Sequence, residues 1–233
     1  MFAKKLNSCM FLLKRGFYWL KYKIFSNSLH GTHSPFVYKF LEEVVYDNKE
    51  YIDYKRLNEL KNKYENLTIK NSSNSRFTID NNPIPITKKH RLLLYRIVKY
   101  FKPNLILELS SSSDIVNEYV SIAHSQSKII SLYSNDFDNI LSSHINQFEG
   151  RELIYFDGTF KKDITLKYFY ESLKRVSSKS VFVFNRICGN DDMIEVWNEI
   201  KNNPHVKVTI DFFDIGIVFF REEQVKENFI INY

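Results

Sequence analysis

Glycine is scarce in this chain, with six in 233 residues, against a typical share of ~7%. Loops that cradle phosphates or nucleotides depend on glycine's backbone freedom, so few can be built here. Cysteine is scarcer, at two. That number excludes a disulfide scaffold and any multi-cysteine zinc site, and it points to a reducing, cytoplasmic setting. Acid is missing from one region. Residues 1–41 hold Lys4, Lys5, Lys14, Arg15, Lys21, Lys23 and Lys39, and the first acid is Glu42, so this stretch carries +7. The formal net charge is +6 for the whole chain. The remainder is therefore −1, and a nucleic-acid-binding body is excluded. What the chain does have is apolar substance, 44% hydrophobic and 16% aromatic, enough for a full core and too much for disorder.

The basic stretch predicts an amphipathic helix over 6–25. Leu6, Met10, Leu13, Phe17, Leu20 and Ile24 fall on one face, widened by Phe11, Tyr18, Trp19 and Tyr22. Lys14, Arg15 and Lys21 interrupt it, which excludes a transmembrane span, and no small-residue cleavage site follows, as a secretory leader would require. Three roles stay open for the helix. It can pack on its own domain or on a second copy, giving a homo-oligomer. It can lie on an anionic membrane surface, making the protein peripheral to the inner membrane. Or it can bind an acidic protein partner or RNA.

Ser34-Pro35 predicts a helix start, since serine caps free N–H groups and proline suits the first turn. A second helix is expected over 52–66. Residues 70–87 are polar and read as a linker or mobile loop. Beyond Lys88 the pattern alternates. Helices are expected at 90–101, 113–124, 137–148, 164–176 and 191–202. Strands are expected at 105–109, 128–132, 153–156 and 180–184, and an antiparallel pair at 205–211 and 215–221. Such alternation predicts an α/β, doubly wound, mostly parallel Rossmann-like sheet ending in an antiparallel hairpin, with helices on both faces. The expected division is an N-terminal helical extension and linker at 1–87 and a Rossmann domain at 88–233.

Several segments carry a family resemblance: HGTHSPFVYKFLEEVVY, LLLYRIVKYFKPNLILEL, TLKYFYESL and TIDFFDIGIVFFREEQVKENF. With them the chain resembles the class I S-adenosylmethionine-dependent methyltransferases, within them a bacterial group with an HG-x-HSPF segment. The resemblance covers nearly the whole chain, and it implies that the HG-x-HSPF segment lies over the pocket. If the protein is active, it also implies S-adenosylmethionine as cofactor, with Glu108, Ser110, Ser112, Tyr133 and Asp157 as its contacts and Asp157 as the catalytic candidate.

The chemical positions depart from that pattern. The family's ELGxxxG turn reads Glu108-Leu109-Ser110-Ser111-Ser112-Ser113-Asp114, with both glycines replaced. The acid that holds both ribose hydroxyls is replaced by Tyr133, whose single hydroxyl cannot accept two hydrogen bonds as a carboxylate does. Asp136 lies near enough in sequence to substitute. The 24 residues from Tyr133 to Asp157 are short for the usual strand–helix unit, so one sheet-edge unit is expected to be shortened or lost. The family's (Y/F)IDG(N/D)H keeps Asp157 and Gly158 but ends in Phe160. The paired acids of FDDIHWS become Asn185 and Arg186, with Cys188 at the histidine position. Asp157 facing Arg186 is expected to form a salt bridge and no metal site. Glu108 has the plain alternative of a solvated or capped strand end. His30 and His33 precede the helix start and read as structural, substrate-contacting or metal-binding, in that order. Cys188 has no positioned base to make it a nucleophile.

The first reading is therefore a methyltransferase-fold pseudoenzyme with eroded cofactor and catalytic sites and a binding or scaffolding role. The alternatives are an active metal-independent S-adenosylmethionine-dependent methyltransferase, and a peripheral membrane or RNA-associated protein acting through its basic helix.

Overall fold

Short runs of buried aliphatic and aromatic residues form the strands, and turn-forming residues bound them. In a computed structural model of the chain, the described residues are 2–59, 87–110, 115–132, 150–158 and 161–233, with backbone alone at 2–12, His30 and Ile115. Helix α1 (Phe2–Phe25) leads through a 3-10 turn (Leu29–Gly31) to α2 (Pro35–Phe40), which continues as a wider π turn (Leu41–Val45). Ser34 caps α2 as the sequence predicts, its Oγ accepting from Val37 N–H at 3.5 Å. The second expected helix is seen as α3 over 53–59; its continuation and the linker over 70–86 lie outside the described residues. Thr87 caps α4 (Lys88–Phe101), which ends where Lys102 turns left-handed at φ 47° before Pro103.

The remaining elements alternate. They are β1 (Leu105–Leu109), α5 (Ile115–Ala123), β2 (Lys128–Leu132), β3 (Glu152–Phe156), α6 (Lys162–Leu173), β4 (Val181–Asn185), α7 (Asp191–Asn202), β5 (Val208–Asp211), β6 (Ile215–Phe219) and β7 (Glu227–Ile230). They form one seven-stranded sheet in the order β2-β1-β3-β4-β6-β5-β7. The pairs β1–β2, β1–β3 and β3–β4 are parallel, and β6 runs antiparallel between β4 and β5. This is the doubly wound Rossmann-like sheet with its antiparallel hairpin. The sequence reading stopped at that hairpin, whereas the sheet adds β7, parallel to β5. Its four residues, three half-exposed and Asn228 exposed, are reached by a crossover and not by a tight turn, so no local pattern marked it. On the other side β2 is the edge among the described residues. The expected helix at 137–148 and the interval from Tyr133 to 149 lie outside them.

Side chains alternate across the sheet, as the two-residue period demands. Ile106, Tyr155, Val183 and Ile217 face a core shared with α2, the π turn and α4, including Val37, Phe40, Leu41 and Val44. Leu107, Phe156, Phe184 and Val218 face the other layer, with Phe169 of α6 and Met193 and Trp197 of α7. Residues 37–45 thus pack directly on the sheet that begins at Leu105.

Candidate functional site

The chain runs from β1 out to β2, then returns across β1 to β3. The order reverses there, and the crevice outside the carboxyl ends of β1 and β3 is where such sheets bind ligands. Four predicted residues do meet at this end. Glu108, Ser110 and Asp157 are almost fully buried, 1%, 2% and 8% exposed, and Asn185 lies close by at the end of β4.

They are engaged with protein groups. Ser110 Oγ donates to Asp157 Oδ2 at 2.9 Å. The Ser110 N–H donates to Leu132 O at 3.3 Å, and the Asp157 N–H to Leu109 O at 3.1 Å, so backbone continues the sheet past its strands. Asn185 Nδ2 reaches Asp157 O at 3.4 Å. Glu108 is no solvated strand end: its Oε2 accepts from Ser131 Oγ at 3.0 Å, and Ser131 Oγ accepts from Asn117 Nδ2 at 2.6 Å. Ser131 and Asn117 were not singled out from the sequence. Ser131 is the polar residue inside the strand that Lys128 opens, directly opposite Glu108 in the β1–β2 register, and that was the available signal. Ser112, Asp114, Tyr133, Asp136 and Phe160 lie outside the described residues.

Charge at this end is balanced locally. Burial lowers the Arg186 pKa, and the charge of Asp157 opposes that shift. Tyr155, fully buried, is pushed well above the ordinary phenol value first by burial and then by the charges of Asp157 and Glu108. Burial, with the carboxylates of Asp211 and Asp214 beside it, pushes the Cys188 thiol up to about 12. It therefore stays protonated at neutral pH and cannot serve as a thiolate nucleophile. Among the described residues, no three His, Cys, Asp or Glu side chains gather as a metal site.

Helix α1 lies across the same end, held by a face that the sequence reading did not pick out. Arg15 Nη2 pairs with Asp214 Oδ1 at 2.7 Å, its Nη1 donates to Cys188 O at 2.9 Å, and its guanidinium lies 5.1 Å from the Phe213 ring centre. Tyr22 donates to Ile231 O at 2.6 Å and packs on Phe213. Tyr18 and Tyr22, read from the sequence as widening the apolar stripe, instead recur with Arg15 at three and four residues opposite it, and that spacing was the missed signal.

The HGTHSPF segment is placed differently from what the resemblance implies. Ser34 bonds to Gln224, and the Phe36 ring meets Phe219 at 5.0 Å. Phe219 pairs with Val181 and Val208, the first residues of β4 and β5. Ser34 and Phe36 thus sit at the amino end of the parallel strands, away from Asp157. His33 is exposed.

His90, near the start of α4, supplies a pH test. Burial lowers its pKa from the ordinary 6.5, partly offset by Asp214. A depressed folded value means that its contribution to stability is present above about 6.5 and is lost as pH falls through the folded value. Urea unfolding should show a drop in midpoint between about pH 7 and about pH 5 that is smaller in His90→Gln. An identical drop in both proteins would show that another group titrates.

No protein-family model matches the chain, and no curated relative does. Solved structures do overlap it. An O-methyltransferase from Bacillus cereus in complex with SAH is 13% identical, over 78% of this chain and 96% of that one, with a TM-score of 0.48. An SAH-bound methyltransferase from Podospora anserina is 11% identical, over 59% and 80%, also at 0.48. A methyltransferase from Geobacter sulfurreducens is 10% identical, over 80% and 96%, at 0.45. The sheet order and strand directions define the Rossmann-like fold independently of these overlaps.

Proposed function

We propose that this is a methyltransferase-fold protein whose carboxyl-end cluster clamps the sheet instead of holding a cofactor, and that it acts as a binding or scaffolding subunit. One observation carries the reading: the Ser110 hydroxyl and the Asp157 carboxylate, both buried, are bonded to each other. Where the resemblance calls for a glycine that lets cofactor approach the backbone stands Ser110, whose side chain ties β1 to β3. Glu108 is committed to Ser131, and Asn185 and Arg186 stand where the family pattern has two acids. On this reading the described residues are committed to one another and not to S-adenosylmethionine. The carboxylate candidate for a general base, Asp157, accepts from Ser110.

Calorimetric titration with S-adenosylmethionine and S-adenosylhomocysteine tests this. The expected result is no heat up to millimolar ligand, from protein shown to be folded by circular dichroism. Micromolar binding that Asp157→Ala abolishes would overturn the proposal in favour of an active, metal-independent methyltransferase.

A further inference from the structure

Among the described side chains, the apolar stripe of α1 from Leu13 to Ile24 is not packed on its own domain. Its opposite face is pinned by Arg15 and Tyr22, and this turns the stripe outward. Leu13, Phe17 and Ile24 are 71%, 67% and 66% exposed, and Leu20 and Phe25 are more than half exposed. Contiguous exposed apolar surface of this kind marks an interaction site. Its rim is cationic. At 100° per residue, Lys14 and Lys21 lie on one side of the stripe and Lys23 on the other. Lys21 is exposed, Lys14 reaches Asp191 at 2.9 Å, and Lys23 reaches Asn232 at 2.5 Å. Trp19, half exposed, lies beside Lys23 with the ammonium 6.0 Å from the ring centre.

From this geometry we infer that the outward face of α1 docks on an anionic lipid surface, lying in the interface plane with Leu13, Phe17, Leu20 and Ile24 directed into the acyl boundary. Lysines on both flanks lie within reach of headgroups while their stems cover apolar surface. Charge decides between occupants. Two copies joined stripe to stripe would set lysine rims against each other, and residues 1–41 supply no acid, Asp191 beside Lys14 being the one acid bonded to a rim lysine among the described residues. An anionic membrane complements both the stripe and its rim. Among the described residues no helix is long and apolar enough to cross a membrane, so the contact is peripheral. The inference does not rest on the cofactor reading, since the stripe faces away from the Ser110–Asp157 cluster's elements whether or not a cofactor binds.

The experiment uses the full chain with phosphatidylcholine vesicles and vesicles enriched in phosphatidylserine, at low and high salt. Trp197 is 3% exposed and Trp19 49%, so a blue shift and reduced acrylamide quenching on binding report Trp19. Wild type is expected to sediment with the anionic vesicles, less at high salt. Phe17→Asp/Leu20→Asp should weaken binding about a hundredfold while leaving the fold intact, because both side chains are already exposed. Lys21→Glu should weaken binding to anionic vesicles about fivefold or more and leave neutral vesicles unaffected. Absence of binding to either vesicle would overturn the inference, as would binding that survives the double substitution. A wild-type dimer that Phe17→Asp/Leu20→Asp converts to monomer, without vesicle binding, would overturn it in favour of a second copy. Salt-sensitive binding to RNA alone would do the same in favour of nucleic acid.

Discussion

Gly158→Ala is expected to cost about 3 kcal/mol and to lower the thermal midpoint by roughly 6–12 °C. Gly158 follows Asp157 at the end of β3 with φ 72°, a left-handed conformation that an L side chain adopts at a cost of about 1–2 kcal/mol. A Cβ there would overlap the Asn185 carbonyl oxygen and press on Arg186 Cβ at 3.0 Å. Neither neighbour can yield cheaply. One is main chain, and Arg186 is itself left-handed at φ 59°. The β3 and β4 ends therefore touch through Gly158, and the substitution pries them apart beside the clamp that Ser110 and Asp157 close between β1 and β3. Equilibrium urea unfolding measures the loss. A change below about 0.5 kcal/mol, the level of an ordinary surface substitution, would show that these ends move freely.

Gly216→Val should cost a similar amount, about 3 kcal/mol, for a different reason. Gly216 sits within β6, paired with Phe184 on one side and Asp211 on the other, so its backbone is held from both edges. The benzo ring of Trp197 lies against it: a Cβ would overlap the ring, with Cζ3 at 2.6 Å. Trp197 cannot simply swing away, because its Nε1–H donates to Asp211 Oδ2 at 3.1 Å in a largely buried setting. Trp197→Leu should remove part of the clash, so the double variant should lose less than the sum of the two singles. Additivity within about 0.5 kcal/mol would mean that the two residues do not compete for one space.

These two contacts show what a sequence can and cannot convey. Leu105–Leu109, Lys128–Leu132 and Asp191–Asn202 were legible residue for residue, because local apolar period and turn residues determine them. Tertiary partners were not. Glu108 could be placed at a strand end, but its burial against Ser131 and Asn117 depends on a strand and a helix later in the chain. The stripe on α1 was readable from its spacing. Which way it faces depends on Arg15 meeting Asp214, 199 residues later. The HGTHSPF segment formed the capped helix that Ser34-Pro35 predicts, yet its end of the sheet follows from Phe36 packing on Phe219. At the candidate site, the identities of Ser110, Asn185 and Arg186 were plain. That Ser110 and Asp157 engage each other was visible only once β1 and β3 lay side by side.

The seat of α1 also has a consequence in time. Tyr22 donates to Ile231 O, the Tyr233 N–H returns to Tyr22 Oη, and Asn27 pairs with Ile231 as a short parallel bridge. Every one of these partners lies beyond β7. A ribosome adding about 5–20 residues each second needs roughly 10–40 s to travel from Tyr22 to Ile231. Throughout that interval the basic helix has emerged, while the groove that will hold its tyrosine face has not been made. A nascent chain of this protein therefore offers both faces of α1 to its surroundings until the last strand joins the sheet, and only then is one of them withdrawn.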